Sequence, residues 1–165
     1  MDRIIHTFTP TPEKMMAVAN MLMTRELYLV DNMRDWNTVY AIAASYVNRP
    51  QQNMIFEMGD FDGLVGFLNV LPGYKATLLF KLWNPDIWKL SLTKEVRKFI
   101  ADGMKNLGLV RLDTHTADPR IVRMAKMAGF KVEGCRRLNF PWNGVLYDEI
   151  ILAIIKEPKE KENGM

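Results

Sequence analysis

His115 is the residue of this sequence best suited to acid–base chemistry, since histidine is the side chain that titrates near neutral pH. It belongs to the segment 110–116, in which apolar and polar residues alternate. This pattern predicts a β-strand with His115 near its carboxyl end. Asp113 lies two residues earlier, on the same face of that strand. Two interpretations stay open. Asp113 orients the imidazole of His115, or Asp113 pairs with a nearby arginine while His115 hydrogen-bonds to backbone.

Three other side chains have types that can do chemistry. Glu57, in an earlier predicted strand, is a weaker candidate for a base. Cys135 also lies in a predicted strand, where we expect a small core residue rather than a nucleophile. His6 has no cysteine or carboxylate at ligand spacing, and one cysteine cannot form a cysteine-rich site. We therefore predict no metal site.

The composition is that of a globular protein, with 48% apolar and 25% charged residues in a chain of 165. We expect one domain over 1–156 and a disordered tail of alternating charge over 157–165. No apolar run approaches the roughly 20 residues of a membrane span, and the first residues lack the features of a secretory signal. With a single cysteine, we expect a reducing, cytoplasmic setting and no membrane partner.

The hydrophobic periodicity predicts the order β-α-α-β-β-β-α-β-α-β-β. An antiparallel meander followed by strand, helix and strand indicates a mixed sheet covered by helices. The link over 27–34 between the first two helices is left unassigned. The predicted strands are 3–8, 53–58, 64–71, 76–83, 110–116, 130–138 and 145–155, and the predicted helices begin near Pro12, Asp35, Leu92 and Asp118.

The second half of the chain resembles the GNAT acetyltransferases. The resemblance rests on the run Gly108–Leu112, a capped helix that ends in Gly129-Phe130, then Glu133-Gly134, and Tyr147-Asp148 in the last strand. The segment Gly63–Gly66 is also similar to the second and third strands of that family. The resemblance to this family implies an α/β (α+β layered) fold, with a mixed, mostly antiparallel central sheet of six to seven strands and helices on both faces. The stretch Ile87–Ser91 further resembles acetyltransferase-like proteins of tailed phages.

The GNAT resemblance implies an acetyl-CoA site where strands 76–83 and 110–116 diverge. Its pyrophosphate would rest on the first turn of the next helix, where unpaired N–H groups and the helix dipole favour anions. The family has glycines in this turn, whereas here the matching positions hold Ser91 and Thr93, or Leu90 and Leu92. The alternative is a plain helix start capped by Ser91, with both leucines in the core. The implied cofactor-binding residues are Leu82, Trp83, Lys89, Leu90, Ser91, Leu92, Thr93, Lys94 and Asp118.

For catalysis, the same resemblance places the acyl group near His115 and the acceptor near Tyr147. The family often has a tyrosine in the helix before Gly-Phe to protonate the departing thiolate, and the matching residue here is Ala125. His115 and Tyr147 are therefore the candidate catalytic residues.

Two functions follow from these residues. The first is an N-acyltransferase that moves an acetyl group from acetyl-CoA to a primary amine of a small molecule or a protein. The alternative is a non-catalytic, phage-type structural or interaction protein with a degenerate CoA site and a protein partner. The charge of +3 does not require nucleic acid, although basic side chains line one helix, namely Lys94, Arg97, Lys98 and Lys105.

Overall fold

The computed structural model describes residues 3–157, so most of the predicted tail over 157–165 lies outside the described residues. The order of elements agrees with the prediction. The helices are α1 (Pro12–Thr24), α2 (Trp36–Val47), α3 (Leu90–Leu107) and α4 (Pro119–Met127). The strands are β1 (Ile5–Thr7), β2 (Met54–Met58), β3 (Gly63–Leu71), β4 (Lys75–Leu82), β5 (Arg111–Thr116), β6 (Lys131–Trp142) and β7 (Val145–Ile155).

These strands form one mixed sheet of seven, in the order β1-β2-β3-β4-β5-β7-β6. β4 and β5 are parallel, and every other neighbouring pair is antiparallel. The parallel pairing is short, because it joins only Lys75–Thr77 to Arg111–Asp113 although both strands continue beyond it. The sheet is therefore split at its centre, on the carboxyl side of these pairs.

Helices cover both faces of the sheet, as predicted. α3 and α4 pack on one face, where the α3 stripe Leu92, Val96, Ile100 and Met104 contacts Phe67, Leu78 and Leu112. α1 and α2 pack on the other face, where Val18, Leu22 and Val39 contact Leu64 and Leu79. Successive residues of β4 thus point to opposite layers. None of the helices within 3–157 has the length and apolarity that crossing a bilayer requires.

Local sequence accounts for the ends of most helices. Thr11 accepts a hydrogen bond from the N–H of Lys14 and precedes Pro12, so it caps α1. Asp35 caps α2 through the N–H of Thr38. Gly108 ends α3 in the left-handed conformation that glycine adopts without strain.

The prediction that Cys135 is a core residue is wrong, because its side chain is exposed. The reason is its place in β6, which is the edge strand of the sheet and has no helix over most of its length. An alternating sequence pattern predicts a strand, but it does not tell whether that strand is central or at an edge.

The contact between α3 and β3 is close enough to require glycine at position 103. A Cβ at Gly103 would lie 2.3 Å from Cζ of Phe67, whose ring is fully buried and stacked on Phe99. We expect Gly103→Ala to lower the free energy of unfolding by up to about 2 kcal/mol. Overpacking costs about 1–3 kcal/mol and outweighs the gain of about 1 kcal/mol in helix propensity.

Chemical denaturation of Gly103→Ala beside Asn106→Ala would measure this difference. Asn106 is exposed on the same helix, so its alanine variant changes propensity without crowding the core. A Gly103→Ala protein as stable as Asn106→Ala would contradict the close contact.

Candidate active site

The divergence of β4 and β5 opens a cavity of about 210 Å³ on the α1/α2 face of the sheet. Its lining includes Lys81 from β4 and His115 from β5, with Tyr28 and Tyr46 above them. A second cavity of about 180 Å³ lies beside it, between the end of β4 and the start of α4. Tyr28 and Asp118 line both cavities and so stand between them. The sheet thus offers two adjoining compartments at its split.

His115 is held by a carboxylate that the sequence interpretation did not identify. Nδ1 of His115 lies 2.6 Å from Oε1 of Glu149, whose side chain is almost completely buried. The other carboxylate oxygen of Glu149 accepts hydrogen bonds from Asn139 at 2.7 Å and Arg136 at 3.3 Å. This arrangement turns Nδ1 of the imidazole away from the cavity and leaves Nε2 for a substrate.

Glu149 is ionised in this setting. Its burial alone would raise its pKa, but the hydrogen bond from Asn139 and the charge on His115 prevail. Together with the hydrogen bonds from His115 and Arg136, they bring the pKa of Glu149 below its ordinary value. A carboxylate in that state can fix the orientation of the imidazole and stabilise its protonated form.

Asp113 does not orient His115. It pairs with an arginine instead, which was the second of the two interpretations of Asp113. Its carboxylate accepts hydrogen bonds from Thr77 at 3.0 Å and from Arg111 at 3.3 Å. His115, in turn, contacts a carboxylate rather than backbone. Glu57 is also engaged elsewhere: it forms an ion pair with Lys14 at 2.6 Å, and Nδ1 of His6 lies 3.4 Å from its carboxylate, on the far side of β3 from the split.

Tyr147 shares the face of β7 that carries Glu149, but it does not line the cavity. It packs against Leu27, Phe140 and Trp142 in a small apolar cluster beside the carboxyl end of β5. Across residues 3–157, no group of three or more His, Cys, Asp or Glu side chains is placed to hold a metal ion.

Protein-family models and curated protein sequences give no match to this chain. Several solved structures do match this chain. The microcin C7 self-immunity acetyltransferase, in complex with acetyl-CoA and AMP, has a TM-score of 0.68 at 15% identity over 94% of each chain. The spermidine N-acetyltransferase of Vibrio cholerae, in complex with CoA and spermine, has a TM-score of 0.71 at 14% identity over 93% of this chain and 96% of its own. The ribosomal L7/L12 alpha-N-protein acetyltransferase, in complex with coenzyme A, has a TM-score of 0.69 at 12% identity over 93% of this chain and 95% of its own.

This chain has the GNAT fold. The predicted fold class is thereby confirmed. At identities of 12–15% the likeness concerns the fold alone. The split between β4 and β5 is the feature of this GNAT fold in which the candidate residues meet.

The first turn of α3 divides the predicted cofactor-binding residues into two groups. Lys89, Leu90, Ser91 and Lys94 are exposed. Leu92 and Thr93 are buried, and the hydroxyl of Thr93 donates to the carbonyl of Lys89, so both side chains face the core. The role of these two residues in cofactor binding stays a prediction. They fall on the inner face of a helix that begins at Leu90, two positions before the predicted start.

The alternative interpretation of this turn is wrong in two respects. The N-cap residue is Lys89 rather than Ser91, and no side chain caps the helix. Leu90 is 67% exposed, so only Leu92 of the two leucines belongs to the core. The first N–H groups of α3, which have no acceptor within the helix, thus lie beside exposed ammonium and hydroxyl groups.

Three other predicted residues stand near the end of β4. The indole of Trp83 is buried on the α1/α2 face and donates to the carbonyl of Phe61 at 2.6 Å, so the ring is a core residue and its N–H is occupied. The carbonyl of Leu82 accepts from the hydroxyl of Tyr28 at 2.7 Å. Asp118 caps α4 and is held by the guanidinium of Arg120 at 2.8 Å.

Ala125 leaves no phenol on α4, and Tyr28 and Tyr46 are phenols that the fold brings into the cavity instead. Burial raises the pKa of Tyr28 to about 12, so this hydroxyl stays protonated and acts as a hydrogen-bond donor. Tyr28 belongs to the link 27–34, whose aperiodic sequence gave no signal for its position. Its neighbour Leu27 is buried with a φ of 58°, a strained backbone conformation of the kind that clusters at functional sites.

A latch formed by Asp31 and Arg34 holds this link over the split. The carboxylate of Asp31 accepts from the N–H groups of Asn143 and Gly144 in the β6–β7 turn, at 2.8 and 3.0 Å. Arg34 donates to the side chain of Asn143 at 2.8 Å and stacks on Trp142. The hydrogen bonds from Gly144 and Asn143 lower the pKa of Asp31 below its ordinary value.

We expect Asp31→Ala to release the link, because the two turn N–H groups lose their acceptor. The amides of Asn143 and Gly144 should then exchange with solvent faster, as hydrogen-exchange mass spectrometry would measure. In the unmodified protein the same exchange should accelerate as the pH falls and Asp31 is protonated, once the intrinsic pH dependence is subtracted. A carboxyl of lowered pKa contributes its contacts above its unfolded-state pKa and loses them on acidification.

Asp35→Ala is the matched control, since it removes a carboxylate from the cap of α2 without touching the turn. Equal exchange at Asn143 and Gly144 in both variants would contradict the latch.

Proposed function

We propose that this chain transfers an acetyl group from acetyl-CoA to a primary amine. The observation that carries the proposal is the pair formed by His115 and Glu149 at the split between β4 and β5. It is supported by the CoA or acetyl-CoA present in solved acetyltransferases that share the fold over more than nine-tenths of their length. Acetyl-CoA, when bound, supplies an acetyl thioester.

In this proposal His115 is the general base. An amine attacks a carbonyl carbon only after losing its proton, and Nε2 of His115 is the ring nitrogen left to accept that proton, directly or through one water. Glu149 holds Nδ1 and stabilises the imidazolium that results, while Asn139 and Arg136 keep Glu149 ionised. The sequence candidate His115 is thus retained with a different supporting carboxylate.

The first turn of α3 is the proposed phosphate site. Lys89, Ser91 and Lys94 are exposed there, beside the first N–H groups of the helix, which have no acceptor within it. The residues present fit an anion even without the glycines of the family. The family's two glycine positions match Ser91 and Thr93 in one alignment and Leu90 and Leu92 in the other. In each alignment the second position, Thr93 or Leu92, has a side chain that points into the core. Only one side chain, Ser91 or Leu90, then stands toward the phosphates, so we expect binding weaker than a glycine turn would give.

Leu82, Trp83 and Asp118 remain proposed cofactor neighbours, because all three line the compartment at the end of β4. Tyr147 is proposed to act only through packing beside the acceptor, since it does not line the cavity. Tyr28 is added as a residue that lines both compartments, with its hydroxyl proton donated to the carbonyl of Leu82. No side chain at the place of Ala125 protonates the thiolate, so the proposal assigns that step to solvent.

Titration calorimetry with CoA tests the phosphate site. We expect Ser91→Glu to abolish binding, because a carboxylate would face the phosphates. The variant should keep its fold, since an acidic residue at a helix N-terminus interacts favourably with the helix dipole.

Asn106→Glu places the same charge at the other end of α3 and should bind CoA as the unmodified protein does. Absence of heat from the unmodified protein at millimolar CoA would sink the acyltransferase proposal. It would favour the alternative of a non-catalytic protein with a protein partner, for which the phage resemblance of Ile87–Ser91 stays a prediction.

The role of His115 is tested by thiol release from acetyl-CoA in the presence of an amine panel. Removing a general base typically costs about 10²–10⁴-fold, so we expect His115→Gln to lower kcat by about 100-fold or more with little change in CoA affinity. The remaining rate should also lose the decline at acidic pH that an imidazole base imposes. Glu149→Gln should lower kcat less than His115→Gln, because the imidazole remains but its support is weakened.

Glu133→Gln is the control for the second variant, since Glu133 is an exposed carboxylate paired with Arg111 outside the cavity. Unchanged turnover in His115→Gln would exclude His115 as the base. Equal losses in Glu133→Gln and Glu149→Gln would exclude a specific role for Glu149.

A further inference from the structure

Lys81 lines the cavity of about 210 Å³ that also contains His115. This lysine was not a candidate in the sequence analysis. It lies on β4 between Leu79 and Trp83, both of which are buried on the α1/α2 face. Its side chain therefore points to the same face as His115, and both residues line the cavity of about 210 Å³.

The charge of Lys81 has no carboxylate partner within residues 3–157. Its Nζ donates to the carbonyl of Tyr28 at 3.3 Å and lies 4.7 Å from the centre of the Tyr28 ring. None of the ion pairs among the described residues includes it. Burial lowers the pKa of Lys81 to about 8, an effect that the charge of Asp118 partly offsets, so Lys81 is still mainly an ammonium at pH 7.

The other charged groups around the cavity are compensated. Asp118 is bound by the guanidinium of Arg120, and His115 is bound by Glu149. The cavity thus presents one unneutralised positive charge among side chains that are mostly apolar or aromatic, including Tyr46, Leu68 and Leu79. A buried charge without a partner costs free energy, and an anionic ligand removes that cost.

This electrostatic setting discriminates among amines. A polyamine would bring further positive charges close to Lys81 at low dielectric, where like charges repel strongly. A molecule with a carboxylate would form a charge-assisted hydrogen bond to Lys81. Size adds a second restriction, because about 210 Å³ is below the roughly 300–1,000 Å³ of cavities that hold drug-sized ligands.

We propose that the acceptor is a small amino acid, whose carboxylate binds Lys81 while its amine faces His115. This inference rests on the proposed acetyl transfer and adds its substrate class. Lys81 is then a specificity-determining residue, because it selects the acceptor through a group that does not react.

Matched pairs of acceptors test the role of the carboxylate. Leucine with leucinamide replaces the carboxylate by a neutral amide, and γ-aminobutyrate with putrescine replaces it by an ammonium. Since a hydrogen bond between charged partners changes binding by about tenfold or more, we expect kcat/KM to favour the acid of each pair by at least that factor. The values are compared per unprotonated amine, because the two amines of a pair differ in basicity. Lys81→Met, which removes the charge and keeps most of the apolar side chain, should remove the preference, and Lys81→Arg should retain part of it.

Lys75→Met is the control, because Lys75 lies on the same strand next to Tyr74 and does not line the cavity. Thermal melting and CoA titration of each variant separate recognition from folding. An equal or higher kcat/KM for the amide or for putrescine would overturn the inference. A preference that survives in Lys81→Met would also overturn it.

A binding experiment separates this inference from the acetyl-transfer proposal. The protein saturated with CoA, which cannot react, is titrated with leucine and with leucinamide. Tighter binding of leucine that Lys81→Met abolishes would support carboxylate recognition even if no amine releases thiol, in which case the acetyl-transfer proposal alone would fail. Equal affinity for the two ligands would refute the inference whatever the turnover.

Discussion

The short parallel pairing between β4 and β5 is the constraint on which the rest of the molecule depends. Three residue pairs join the strands, and beyond Thr77 and Asp113 their backbone groups no longer bond to each other. Antiparallel neighbours β3 and β7 hold each strand on its outer side, so the sheet stays continuous while its centre opens. Backbone and side chains at the opening are then accessible to a ligand from within the core.

Both compartments at the split are shaped by a segment in which a 3-10 turn at Asp31–Met33 is the one regular element. The link between α1 and α2 carries Tyr28 into the opening, and the latch of Asp31 and Arg34 fixes the link to the β6–β7 turn. The two partners are more than 100 residues apart in the chain. A loop attached in this way can position the hydroxyl and carbonyl of Tyr28 as firmly as a strand would, because its polar groups are satisfied by the turn.

The polar groups of the site belong to two separate networks. On β5 and β7 the carboxylate of Glu149 binds Nδ1 of His115, and Arg136 and Asn139 bind its other oxygen at the edge of the sheet. On β4 the ammonium of Lys81 contacts the carbonyl and the aromatic ring of Tyr28, and no carboxylate among the described residues forms an ion pair with it. A side chain whose hydrogen bonds are all made within the protein, such as Glu149, can hold its neighbour in one orientation. A charged side chain without a counter-ion, such as Lys81, can bind the opposite charge of a ligand.

The sequence by itself determined the order of helices and strands, the mixed sheet and the place of His115 at the end of a central strand. Those features follow from local periodicity, caps such as Thr11 and turns such as Gly108, which act between residues close in the chain. Only the tertiary structure decided which carboxylate supports His115. Asp113 was the neighbour in sequence, but β7 pairs with β5 and brings Glu149 alongside instead. Likewise, whether Cys135 is buried, whether Thr93 faces the core and whether Lys81 has a counter-charge depend on contacts between distant elements, which local sequence patterns do not encode.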